Sequence, residues 1–548
     1  MARIGSVKTA RALACGAAVI AAVAGSGVTG IVSAQAPRRY EAEQDVSIEA
    51  PRVLLNTAMP DAPASGRRVI AVAAGGNLQA ALNAAQPGDV IELARGGLFT
   101  GNFVLPNKKT ASTSWIVIRP ANFASLPAEG TRMTPAIATS LALPRVQSPN
   151  SENAFKTELG AHHYRLTGLN VGFSPGVAQA WAAITLGEGH VSMSDVAHDL
   201  VLDRLFIHGT STMTLRRCIV LNSAASAVID SWVSDCHEQG ADSQAIAGWN
   251  GPGPFKIVNN YLEGAGENMM FGGGDPSIQG LVPSDIEIRR NHFFKPLAWK
   301  PLWTVKNLLE LKNAQRVLIE GNIFENCWAN AQNGTAIAIK SSNQSGKCPW
   351  CISRDVNVRL NLIRNVGGGF NIAGADNNAP VTTHARNIAV VDNVVSGINV
   401  APFDGDGRGM IFVGDPSNLL VAHNTIATAT TSLYFAGIIK GLIFRDNILV
   451  GSRYAVIGDG MPGGAAVAHY GPGASFIRNV VVGGEGTQGF PPGNFTPATV
   501  RHIGFEDMAA ANYRLARNSP YERATDGGQD AGANITALEA AIKGVRVP

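Results

Sequence analysis

Charge is scarce in this chain. Only 16% of its 548 residues are Asp, Glu, Lys or Arg, where about a quarter is usual. Neither sign dominates, with 44 basic residues against 41 acidic. Nucleic-acid binding and attachment to an anionic membrane both select a basic excess, so this balance argues against either. Strong helix-forming runs are also few. Cysteine is sparse, at six residues. What the chain has instead is 61 glycines and 45% hydrophobic residues, enough for a core and for many turns. That composition points to β structure.

The N-terminus carries Arg3, Lys8 and Arg11, then an Ala/Val/Gly-rich run from Ala12 to Ile31, then Val32-Ser33-Ala34. This is the pattern of a bacterial Sec signal peptide over 1–34, cleaved after Ala34, which predicts a secreted or periplasmic protein without a membrane span. Its removal takes three cations and no acid, leaving 41 basic and 41 acidic residues. Residues 35–66, with Pro37, Pro51, Pro60 and Pro63, read as a linker or poorly ordered lead-in. Outside the signal five cysteines remain. Cys348-Pro-Trp-Cys351 lies in a loop between β phrases and reads as a structural disulfide. Cys218 and Cys236 are spaced to meet, leaving Cys327 odd.

A short strand over Val69-Ile70-Ala71-Val72 opens the fold. An amphipathic helix follows from Leu78, with Asn77 as its N-cap, then the strand Val90–Leu93. Such a helix covers the open end of a sheet stack. From about 100 to 500 the chain repeats one phrase, in which an Asn is followed by apolar residues. The anchoring residues are Asn260, Asn291, Asn322, Asn361, Asn393, Asn424, Asn447 and Asn479, with steps of 31, 31, 39, 32, 31, 23 and 32. About thirty residues per repeat fits one coil of three short strands, whereas a propeller blade needs about forty or more. The Asn is expected at a left-handed bend, bonded to its counterpart one coil along. The preceding residues form a polar, outward column: Asp203, Asp230, Asn259, Arg290, Gly321, Leu360, Asp392, His423, Asp446 and Arg478. Beyond 500 the repeat fades into a C-terminal cap ending in a helix from Ile535 to Ile542, with the β-helix itself assigned to 67–500 and the cap to 501–548.

Carboxylates and lysines concentrate in the loops of 227–312. Asp230, Asp235, Glu238 and Asp242 follow one another closely, an oxygen-rich set of the kind that holds Ca²⁺. Glu267 and Asp275 come next, then Lys295, Lys300, Trp303 and Lys306.

Residues 69–500 resemble the right-handed parallel β-helix of the pectin/pectate lyase-like superfamily, which implies an all-β fold of three-strand coils with an Asn ladder. Residues 227–306 resemble the catalytic part of the pectate lyases. There an Ile-Asp-His phrase and two further acids hold calcium; here Ile229-Asp230-Ser231 lacks the His, and Glu238 and Asp242 keep the spacing of the acids. The family lysine before the next strand is replaced around Glu267-Asn268-Met269-Met270, and its Arg-rich base segment by Lys300-Pro301-Leu302-Trp303-Thr304-Val305-Lys306. The phrases Trp303–Leu308 and Glu310-Leu311-Lys312-Asn313 also look like those of exported bacterial β-helix proteins.

The resemblance implies a monomeric lyase acting on a uronate polysaccharide by calcium-assisted β-elimination. Asp230, Glu238 and Asp242 would hold Ca²⁺, Lys300 would be the base, and Lys306, Trp303, Arg290 and Glu267 would bind substrate. The number of carboxyl groups keeps glycoside hydrolysis open. The missing family His and Lys keep open a non-catalytic, glycan-binding or envelope β-helix.

Overall fold

The computed structural model describes residues 46–59 and 68–546, so the expected signal peptide lies outside the described residues. Three long sheets of 14, 13 and 13 strands hold almost every strand. Each coil gives one strand to the first sheet, one to the second and one to the third, then returns to the first one rung along. Ala224–Ile229, Trp232–Cys236 and Gln244–Gly248 make one such coil, and Gly253–Val258 begins the next. Pairing between coils is parallel throughout the regular stack. Parallel strands joined by crossovers wind right-handed, and the fold is a right-handed parallel β-helix. The coils run from Val69 to Val482. The interior is filled by stacked apolar side chains, as in the column Ile184, Ile219, Ile246, Met269, Leu309, Ile337, Phe370.

The corner between the first and second sheets carries the ladder. Asn260 Nδ2 donates to Asn291 Oδ1 at 3.0 Å, and the same bond repeats through Asn322, Asn361, Asn393, Asn424, Asn447 and Asn479 to Asn494. All eight expected residues are in it and all are fully buried. Their conformation differs from expectation. The left-handed backbone belongs to the residue before each Asn, and before Ser231 in the coil that precedes Asn260: Asp230, Asn259, Arg290, Leu360, Asp392, His423, Asp446 and Arg478 all have φ between 52° and 60°. The bend turns at that outward residue, which leaves the Asn extended so that its amide can point inward and span two coils. In the coil before Asp230 this place is held by Arg204, one residue after Asp203.

The N-terminal helix is Leu78–Ala84, and Asn77 accepts from Ala80 N–H at 2.9 Å as a true N-cap. The hairpin Phe505–Asp507 with Asn512–Leu515 and the helix Ile535–Ile542 lie along the outer side of the second sheet, over Val394, Ile448 and Val480, where a cap over the end of the stack was expected. Both make a second apolar cluster around Tyr513, Tyr521 and Leu538. The expected disulfides Cys218–Cys236 and Cys348–Cys351 are present, and Cys327 is free and buried.

The lead-in segment differs from a linker over 46–59. Arg52 N–H donates to Asp285, Lys256 Nζ to Leu55 O, the buried Arg165 to Thr57 O, and Met59 N–H to Glu129. The segment is a strap laid across successive coils of the first sheet. Pro51 suits such an extended run, because it has no N–H group that needs a partner.

Candidate functional site

Two corners of the coil divide the residues picked out in the sequence. Asp230 and Arg290 sit at the ladder corner, between the first and second sheets. Glu238, Asp242, Lys300, Trp303 and Lys306 sit in loops at the next corner, between the second and third sheets, and Glu267 begins a strand of the third. The first pair is therefore withdrawn from the second group.

Asp230 is 5% exposed and spends both carboxylate oxygens inside the fold. Oδ2 accepts from Gly130 N–H at 2.7 Å and Oδ1 from Asn259 Nδ2 at 2.7 Å. Burial raises its pKa, against the pull of those two hydrogen bonds. It locks the 121–144 insertion onto the ladder corner. Arg290 donates to Ala541 O and Lys543 O, each at 2.7 Å, and so staples the C-terminal helix to the coil. Its expected contact with substrate is replaced by this structural one. Asp230, Glu238 and Asp242 consequently do not form the three-carboxylate calcium site that the resemblance implied.

At the second corner the loops hold one another. Thr304 N–H donates to Glu238 O at 3.1 Å and Gly240 N–H to Thr304 Oγ1 at 2.7 Å. Lys306 Nζ is joined directly to the Asp242 carboxylate. Lys300 is turned the other way, to Pro402 O and, at 3.5 Å, to Asp404 Oδ2. Trp303 is half-buried and stacks on His237, with ring centroids 3.9 Å apart, so one face of its ring packs the loop. His237 has no exposure, and burial pushes its pKa down to about 4, keeping the ring neutral. Lys295 is buried too, with Nζ on the carbonyls of Gly264, Ala265 and Gly266 and a pKa lowered by burial to about 8.

The chemistry gathers on the outer side of the third sheet. Register puts Arg217, Gln244, Glu267 and Asn307 in one column across four coils. Glu310 lies in the neighbouring column opposite Met270, with Lys312 two residues on. Gln244 Nε2 donates to Glu267 Oε2 at 2.7 Å, and Lys312 Nζ sits 3.0 Å from Glu310 Oε2. Asn307 Nδ2 donates to Glu310 and, at 2.6 Å, to Gln332. Burial pushes Glu267 up to about 7, with the charges of Glu310 and Asp242 adding to the effect. Burial acts upward on Glu310 as well, but the charges of Lys312 and Lys340 and the hydrogen bonds from Lys312 and Asn307 together outweigh it and hold that carboxyl below its ordinary range. The two acids are thus driven apart, one still about half protonated at pH 7 and the other ionised.

Arg217 extends the site toward solvent. Its guanidinium lies 4.4 Å from the ring of Trp181 and 5.3 Å from that of Trp249, and Arg216 also covers Trp181 at 4.9 Å. Burial beside Arg216 lowers the pKa of Arg217 to about 10, which still leaves it cationic. Trp181 is 47% exposed. Next to it opens a cleft of about 220 Å³ lined by Trp181, Thr185, His190, Val220, Asn222 and Trp249. Buried polar atoms facing this run make no hydrogen bond within the protein: Thr185 Oγ1, Arg217 Nε and Nη1, Gln244 Oε1 and Glu267 Oε1. Natural folds rarely leave such atoms unpaired unless something else meets them.

Arg217, Gln244, Glu310 and Lys312 were not picked as site residues from the sequence. Their signal is visible there: charged or amide side chains inside otherwise apolar strands, as in Leu308-Leu309-Glu310-Leu311-Lys312.

No protein-family model matches the chain, and no curated protein does. Among solved structures it is similar to a PL6-family alginate lyase, at 14% identity over 82% of this chain and 57% of that one, with a TM-score of 0.43. The chain thus spans little more than half of that lyase. A pectate lyase matches at 13% identity over 85% and 96% of the two chains, TM-score 0.34. A family 28 exopolygalacturonase of Yersinia enterocolitica matches at 11% over 79% and 77%, TM-score 0.31. At such identities and scores these likenesses carry no argument about chemistry.

Proposed function

We propose that this protein binds an acidic polysaccharide along the outer side of its third sheet and cleaves it by β-elimination. One observation carries the reading: Arg217 and Glu267, in register on one column, are buried yet keep polar atoms without a protein partner, between the exposed Trp181 and the Asp242–Lys306 pair. Trp181 supplies an apolar face for a sugar ring. Arg217 and Lys306 supply the positive charge that a uronate carboxylate needs if its C5 proton is to become acidic. As Lys306 turns to the substrate carboxylate, Asp242 is freed to accept that proton. Glu267, still about half protonated at pH 7, gives its proton to the O4 oxygen as the C4–O4 bond breaks and the C4=C5 double bond forms. The base is therefore assigned to Asp242 in place of Lys300, which faces Asp404.

A second reading is favoured by the same raised pKa of Glu267 beside Asp242: glycoside hydrolysis with Glu267 as acid and Asp242 as the partner carboxylate. Incubation with polyuronates separates the two. Elimination yields an unsaturated product absorbing in the ultraviolet, and hydrolysis yields reducing ends without that absorbance. Neither signal from pectate, alginate or glycosaminoglycans, with no binding to any of them, would refute both. Export is proposed from the Ala12–Ile31 run and agrees with two disulfides. Among the described residues no helix is long and apolar enough to cross a membrane.

A further inference from the structure

Where the third sheet hands over to the first, two neighbouring coils place four polar rings and acids in a knot that the cleft does not use. His162 and His198 are register partners at the starts of the strands His162–Thr167 and His198–Asp203. Their rings stack with centroids 4.8 Å apart and planes within 3° of parallel. His163 and Asp199 come next along the same two strands, both with left-handed backbone, φ 58° and 53°. That backbone turns the second side chain of each strand back beside the first. All four are half-buried, neither sealed in the core nor splayed into water.

We propose that His163, His198 and Asp199 form a binding site for a divalent transition-metal ion of the zinc class. One ligand atom from each lies within 4.8 Å of the others. His198 Nδ1 is 2.7 Å from Asp199 Oδ2, and His163 Nε2 is 4.0 Å from the same oxygen. Tetrahedral ligands about 2.0–2.1 Å from one ion lie about 3.3 Å apart, so the 2.7 Å pair opens and the 4.0 Å pair closes, each by less than about 1 Å, when the ion is bound. Two imidazoles and one carboxylate are a zinc-type set, and nitrogen donors disfavour calcium or magnesium.

The hydrogen bonds around the knot say which nitrogen is available. His162 Nε2 lies 3.0 Å from Thr110 O, a group that can only accept, so Nε2 carries the proton of the neutral ring. His162 Nδ1 is then an acceptor, and it faces His163 Nδ1 at 2.7 Å. His163 must donate across that contact, which fixes its proton on Nδ1 and leaves a lone pair on Nε2. Asp199 Oδ2, itself an acceptor, lies 4.0 Å from that nitrogen, beyond the reach of a hydrogen bond. Asp199 Oδ2 accepts from His198 Nδ1–H at 2.7 Å, so an ion entering here displaces that one proton as it joins His198 Nδ1, Asp199 and the lone pair of His163. His162 serves as a positioning residue: it sets the tautomer and orientation of His163, as outer partners of metal-bound histidines do. The edge of Trp115 against His163, 5.3 Å between centroids, closes the other flank. Three protein ligands leave a fourth position open, and the ion would tie one coil to the next.

The test uses purified, tag-free protein stripped with chelator, titrated with Zn²⁺ against a fluorescent indicator and separately with Co²⁺. The expected result is one tightly held zinc per chain and visible d–d bands from bound cobalt. His163→Gln and Asp199→Asn should each weaken zinc at least about tenfold and abolish the cobalt bands, while His162→Ala weakens it about 10- to 100-fold and shifts them. Wild-type protein that fails to compete with the indicator or shows only the spectrum of aqueous cobalt overturns the proposal without recourse to any variant. So does unchanged stoichiometry and spectrum in folded His163→Gln and Asp199→Asn.

Discussion

Replacing Glu267 by Gln should leave the protein unchanged at pH 5 and make it more stable at pH 8. The carboxyl is fully buried, and its pKa is raised from 4.5 to about 7, chiefly by burial. An acid whose pKa rises on folding contributes stability that is complete below the unfolded value, and it loses that contribution as pH climbs through the folded one. At roughly 1.4 kcal/mol per pKa unit, the gap from 4.5 to about 7 sets an upper bound of about 3 kcal/mol on the loss between pH 4.5 and 7. Relaxation and water entry around the new charge bring the expected figure to about 1–3 kcal/mol. Gln keeps the size of the neutral acid, and its amide oxygen can still accept from Gln244 Nε2. Urea unfolding at the two pH values reads the effect directly. Wild type should lose midpoint from pH 5 to pH 8 relative to E267Q, while E267Q loses its depolymerising activity. Equal losses of stability at both pH values would refute a buried neutral carboxyl, and with it the acid assigned to the cleavage step.

Activity of wild type should fall as pH rises above about 7, when Glu267 gives up the proton it must deliver; a rate that keeps rising to pH 9 contradicts that role. Lys306→Ala and Arg217→Ala should each lower kcat/KM on polyuronate by about 10²-fold or more, while Lys300→Ala changes it less than about threefold because that amine faces Asp404. Arg290→Ala removes two hydrogen bonds to the C-terminal helix and should cost about 1–3 kcal/mol of stability with kcat/KM unaltered. Asn322→Ala removes contacts with Asn291, Asn361 and Ile288 in the dry ladder and should cost about 3–5 kcal/mol, against less than about 0.5 for the exposed Asn83→Ala.

The coil was legible because it obeys a nearest-neighbour rule. Each rung pairs only with the next, so the same amide is demanded at the same corner about every thirty residues, and the period survives loop insertions such as the 39-residue step to Asn361. The helix capped by Asn77 and the disulfide Cys348–Cys351 are local and were equally readable. Positions fixed by distant chain were not. The strap of 46–59 depends on Asp285, Lys256 and Arg165, hundreds of residues away in places, and nothing within its own sequence announces them. The column before each Asn was correctly seen as polar, but which member bends the backbone needed coordinates, since Asn at a turn and Asn beside a turn leave the same phrase.

The site shows the same division more sharply. Asp230 and Asp242 are 12 residues apart and looked like ligands of one ion, yet a β-helix turns a corner between them, so closeness in sequence becomes separation in space. Arg217, Gln244, Glu267 and Asn307 are spread over 90 residues and share one column, because in this fold proximity is counted in coils. A search for chemistry in such a chain should therefore compare equivalent positions of successive coils and look for polar residues where the strand pattern asks for apolar ones. By that rule Glu310 and Lys312, set among Leu308, Leu309 and Leu311, stand out at once, whereas Arg290 and Lys300, in corners and loops where charge is expected, do not. Burial of such outward-facing charges needs covering loops and paired partners, and a fold gains little stability from the arrangement. Its persistence here, with Glu267 and Arg217 still short of partners, is most simply explained by a ligand that completes the set.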